Sequence, residues 1–255
     1  MKVTLKTALL PISLILLVIP EMDSSNLPII GKALKFSSRA TAQIVTDYVP
    51  PVGTTNRSRT TGAGSRGCDR AANPELQLLA PNNHIPTTIS AHPTLFWYVS
   101  DTTLPIRLTL VEPGVVKPVI ERRFLLNRPG VVGVTLPSNV PGLAVGKQYR
   151  WTVAIVCDEE RPSANTYAYG WIKRVAPTPE LKSKLETVST KGQERSLVYA
   201  QSGIWYDALS SIIMVYKANP QGKVGLWYFS RLLAQAEIPA LSNQKLQQGN
   251  IVRSY

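Results

Sequence analysis

Residues 148–175 read QYRWTVAIVCDEERPSANTYAYGWIKRV, and their reading decides the fold. Tyr149, Trp151, Val153, Ile155 and Cys157 alternate with Arg150, Thr152, Ala154 and Val156. A period of two with β-branched and aromatic residues marks a strand. After the charged turn Asp158-Glu159-Glu160-Arg161-Pro162, the alternation resumes with Tyr167, Tyr169 and Trp171 on one side. Two such strands form the central hairpin of an antiparallel sheet. The Trp151 face is expected to be core.

Working outward, short strands are expected at 76–80, 87–90, 94–99, 106–111, 115–125 and 131–136. Pro-Gly turns at 113–114, 129–130 and 141–142 punctuate them. Pro118 places the 115–125 strand at an edge or a bulge. This spacing predicts a mainly β domain over 67–177, an antiparallel sandwich of the immunoglobulin or fibronectin kind. A C-terminal α part follows over 178–240. Thr178-Pro179-Glu180 is a helix start, and further helices are expected at 193–201, 205–218 and 223–236. Tyr199, Gly203, Ala208 and Pro220, with a small Ser196, stand at the spacing of a single tetratricopeptide-like helical hairpin. Stable arrays need more repeats, so these helices are expected to pack on the sandwich or on one another, without a peptide groove. The tail 241–255 is polar.

At the other end, Lys2 and Lys6 precede an apolar run over 8–20, the pattern of a secretory signal. Residues 1–42 are therefore expected to be a signal peptide or an uncleaved leader, with a small-x-small site at Ala40-Thr41-Ala42. The protein is expected to be exported, to a periplasm or cell envelope or beyond it. A membrane contact would come only through an uncleaved leader. Residues 43–66 lack apolar periodicity and are expected to be a flexible linker. In an oxidising compartment the two cysteines, Cys68 and Cys157, are expected to pair. Closing so long a loop contributes about 4–5 kcal/mol on the chain-entropy model. The alternative is a redox or metal thiol.

The net charge is +12 in 255 residues. The basic residues are scattered rather than run together, which fits a soluble basic surface and does not point to nucleic acid. With only His84 and His92 available, no metal site is expected. No phosphate-binding loop, dinucleotide fingerprint or nucleophile elbow is present, and no cofactor is expected. Asp158, Glu159 and Glu160 offer glycosidase-like chemistry, but paired acids of that kind face each other from separated elements. A solvated turn is the expected reading.

Several blocks together carry a resemblance: Arg66-Gly67-Cys68-Asp69-Arg70, residues 76–81, residues 92–99, residues 131–175, and the run from Ala200 to Leu209. With them the chain resembles, over about 66–236, a family of exported cyanobacterial proteins classed as domain of unknown function 928. The resemblance implies export and a sandwich-plus-helices plan, and it supplies no known catalytic residue, cofactor or substrate. The leader here is longer than the typical family signal.

These readings lead to an expected non-enzymatic binding or scaffold protein. It would engage an envelope protein through the helices around Trp205 and Tyr206 or through a sheet edge. The alternative is a carbohydrate-binding module using the face of Tyr167 and Tyr169, its arginines meeting acidic polysaccharide. A hydrolase using the acidic turn is the third reading.

Overall fold

The computed structural model describes residues 48–53, 58–63, 74–126, 128–189, 192–238 and 241. The expected leader, Cys68 and most of the polar tail lie outside them. No helix among the described residues is long and apolar enough to cross a membrane.

An antiparallel sheet curled into a half-barrel is followed by four helices. The central hairpin forms as its alternation requires. β8 (Gln148–Ile155) pairs with β9 (Thr166–Arg174), Trp151 opposite Gly170 and Thr152 opposite Tyr169. Tyr149, Trp151, Val153 and Ile155 point inward and are buried. β5 (Ile106–Val111) adds to β8 through the same inward period, Ile106, Leu108 and Leu110. β6 (Ile120–Phe124) closes that edge, and starts only after Pro118, which has no amide hydrogen for the ladder. On the far side, β4 (Thr94–Val99) lies between β2 (Leu76–Leu78) and β7 (Gly130–Thr135). Trp97 of β4 meets Phe124 of β6 with ring centroids 5.8 Å apart, so the curl brings the two ends over a shared interior.

What joins the halves was not expected. Arg59–Ala63, inside the stretch read as a linker, is a strand, β1, antiparallel to both β9 and β2. A sandwich has two separate sheets; here β1 makes one continuous path, β6-β5-β8-β9-β1-β2-β4-β7. Its sequence, Arg-Thr-Thr-Gly-Ala, carries no large apolar side chain, and the open ladders on either side hold it. Upstream of it, Tyr48 is also part of the fold. Its amide donates to Gln235 Oε1 at 2.9 Å, its hydroxyl meets His84 Nε2 at 2.5 Å, and its ring lies edge-on to Trp205. Burial drives the Tyr48 hydroxyl pKa well above the ordinary phenol range. β3 (Thr87–Thr88) runs parallel to β9, the one parallel pairing among the described residues.

The helices are α1 (Pro179–Thr187), α2 (Gln193–Gln201), α3 (Trp205–Ala218) and α4 (Lys223–Gln235). Thr178 caps α1 by accepting from the Leu181 amide at 3.1 Å. Gly203 ends α2 with φ near 75°, the left-handed turn glycine adopts without strain, and Ile204 N returns to Tyr199 O. Ser196 Oγ donates to Ala208 O at 2.8 Å, drawing α2 and α3 into the expected hairpin.

α3 fastens the helices to the sheet. Trp205 Nε1 donates to Leu79 O at 3.0 Å. Trp151 Nε1 donates to Tyr206 Oη at 2.9 Å, and Tyr206 Oη donates onward to Trp171 O at 2.7 Å. Gly170 fits closely beneath this chain, since a Cβ there would lie 3.2 Å from Trp151 Nε1 and would push the indole by a few tenths of an ångström. Asp207 accepts from Thr88 Oγ1 at 2.7 Å and from Ile89 N at 3.2 Å, tying α3 to β3. One apolar core thus runs from the half-barrel into the helices.

Candidate functional site

The site residues expected from sequence divide between core and surface. Trp205 and Tyr206, read as part of a partner surface, are 0% and 1% exposed. Their rings fill the junction between sheet and helices, and their polar atoms are used there, so they present no surface. Between α2 and α4, a recess of about 20 Å³ has room for roughly one water rather than a peptide. Cys157 sits just past β8, its amide donating to Asn165 Oδ1 at 2.8 Å. Its expected partner Cys68 is outside the described residues.

The acidic turn has structural work. Asp158 accepts from Glu160 N, Arg161 N and Arg161 Nε, and the arginine holds its carboxyl below the ordinary carboxylate range. A general acid is shifted the other way. Glu159 pairs with Arg107 at 3.0 Å and with Arg123, and Glu121 shares Arg107 at 3.8 Å. His92 Nε2 lies 3.2 Å from Val140 O and His84 is buried against Tyr48 and Asn83, so both imidazoles serve packing. No group of three or more metal-ligating side chains occurs among the described residues.

Tyr167 and Tyr169 do lie on the outer face. Because β9 side chains alternate, Tyr167, Tyr169, Trp171 and Lys173 form one row, about 7 Å apart. Tyr167 is 37% exposed, and Tyr169 and Trp171 are half-buried. Register sets the cations beside them. Arg59 of β1 is opposite Tyr169, and Arg150 of β8 is opposite Trp171. Each arginine leans one row along. Arg59 lies over the Tyr167 ring, 5.5 Å from its centroid, and donates to its hydroxyl at 3.3 Å. Arg150 lies 6.0 Å from the Tyr169 centroid. A cation–π contact of this kind steadies a guanidinium and leaves N–H donors for an oxyanion.

Beyond Arg150 the row ends in a cleft of about 350 Å³. It is lined by Trp171 and Arg150 together with the end of β5 and the turn after it, from Val111 to Val115. Glu112 Oε1 accepts from Lys147 Nζ at 2.9 Å, which raises the lysine's pKa above its ordinary value. Trp171 Nε1 is buried without a hydrogen-bond partner among the described residues.

The outer face is divided electrostatically. On β5 and β6, Arg107 and Arg123 are paired with Glu121 and Glu159. On β1, β8 and β9, Arg59, Arg150 and Lys173 make no ion pair among the described residues. Sequence reading missed Arg59, placed in the linker, along with Arg150, Glu112 and the part played by Trp171. Trp171 carried a usable signal, since it continues the i, i+2 row of the two tyrosines. The arginines carried none, because their neighbours are set by register.

No curated protein matches the chain. Over residues 61–246, most of its length, it matches the family described as Domain of Unknown Function (DUF928), and it belongs to that family.

Proposed function

We propose that the protein is a non-enzymatic binding protein that takes a saccharide along the outer face of β9. The observation that carries this reading is the row Tyr167, Tyr169, Trp171, flanked by arginines with no ion pair among the described residues and ending in an open cleft. Sugar rings have apolar faces and hydroxyl edges. Aromatic side chains meet the first, while Glu112 and the guanidinium edges meet the second. The earlier expectation of a protein partner at Trp205 and Tyr206 loses its surface, which moves the saccharide reading ahead of it. The proposal includes export, by the leader of residues 1–42, and a bridge between Cys68 and Cys157. It also treats the half-barrel as an immunoglobulin- or fibronectin-like sandwich bridged by β1, supported by the contact of Trp97 with Phe124 across the interior.

The expected result is retention of the protein on insoluble cell-wall polysaccharide. Tyr167→Ala with Tyr169→Ala should weaken retention about ten-fold or more, which corresponds to about 1.4 kcal/mol. Both side chains are on the surface, so the thermal midpoint should stay close to wild type. Undiminished retention by a folded double variant would remove this face from consideration.

A further inference from the structure

Resting on that reading, we infer that Arg59 and Arg150 act as a two-pronged anion reader, so that the ligand is a polyanionic sugar chain with acid groups about a nanometre apart. The two arginines stand on strands either side of β9, one register row apart. Two strand spacings and one two-residue step place their Cα atoms about 12 Å from each other. Both side chains lean the same way along the strands, Arg59 onto Tyr167 and Arg150 onto Tyr169. No single monosaccharide spans a separation of that size. Both cations lack an ion-pair partner among the described residues, while Arg107 and Arg123 on the same face are paired with Glu121 and Glu159. Guanidinium groups steadied by aromatic rings are suited to bidentate contact with carboxylate or sulfate. The cleft that Arg150 also lines adds Glu112, whose carboxylate is paired with Lys147 and offers an acceptor to the hydroxyl donors of a sugar ring.

The test measures binding of the full chain to polygalacturonate, to the same polymer with its carboxyl groups reduced, and to a single-stranded oligonucleotide of similar length. Galacturonic acid and its tetramer are compared as competitors. The expected result is at least ten-fold tighter binding of the acidic polymer than of the reduced one, weakening with salt. The tetramer should compete and the monomer should not. Arg59→Ala and Arg150→Ala should each weaken binding of the acidic polymer about ten-fold while leaving the reduced polymer unchanged. Arg123→Ala should change neither. Equal binding of both polymers overturns the anion reader and leaves the saccharide reading standing. Binding of neither overturns both. Preferential binding of the oligonucleotide also overturns the inference, and makes the face a nucleic-acid platform.

Discussion

Trp205→Ala is expected to destabilise the protein by about 4–8 kcal/mol, measured by urea unfolding. The side chain is fully buried at the start of α3, against Tyr48 and the Leu79 backbone. Removing a buried tryptophan costs about 3–5 kcal/mol through lost packing and the cavity left behind. The alanine also leaves Leu79 O without its donor, a further cost of about 1–3 kcal/mol when that carbonyl stays dry. Domains of this size hold about 5–15 kcal/mol in total, so the variant should be partly unfolded at physiological temperature. Trp205→Phe separates the two contributions. It restores most of the ring contact and still strands the carbonyl, so it should lie about 2 kcal/mol below wild type. An alanine variant within 1 kcal/mol of wild type would mean that α3 is not the fastening between helices and sheet.

The second large effect is a pH dependence at Asp207. Burial raises its carboxyl from the ordinary 3.8 to about 6, against the opposing pull of the Thr88 and Ile89 hydrogen bonds and of Arg195. A carboxyl raised in the folded state binds its proton more tightly there than in the unfolded chain. Its contribution is therefore fully present below the unfolded value and is lost as pH rises through about 6. The loss is on the order of 3 kcal/mol. His84 acts in the opposite sense, because burial lowers its pKa and favours the folded state as pH rises. The two are separated by Asp207→Asn, which keeps an acceptor for Thr88 Oγ1 and cannot ionise. Between pH 4 and 7 the stability of wild type minus that of the variant should fall by on the order of 3 kcal/mol. A flat difference would show that this carboxyl has the same proton affinity folded and unfolded.

What could be read in advance follows from how local each signal is. The ends of α2 and α3 were legible because Gly203 and Asn219-Pro220 stop a helix whatever surrounds them. The inward faces of β5 and β8 were legible from their period alone. β1 was not: Arg59–Ala63 has no apolar face, and its strand conformation comes from the unpaired edges of β9 and β2. β3, only two residues long, was read as a longer strand without its parallel pairing to β9. Trp205 and Tyr206 were misplaced on the surface because aromatic residues at a helix start look the same in sequence whether they dock inward or outward. Leu79 O and Trp171 O, far away in the chain, decide the matter. At the candidate site the tyrosines were legible from alternation. The arginines became part of the site only once register set Arg59 beside Tyr169 and Arg150 beside Trp171.

The five tryptophans allow a direct test that the outer face of β9 is where ligand binds. Their indole N–H signals can be followed in a two-dimensional nitrogen–proton spectrum while oligogalacturonate is added. Trp97, Trp151 and Trp205 are fully buried in the core and should stay in place. Trp227 on α4, half-exposed beneath Arg231, lies away from β9 in the sequence and serves as the internal control. The account predicts that the Trp171 signal moves saturably with ligand while Trp227 does not. Movement of Trp227 with Trp171 unchanged would contradict it.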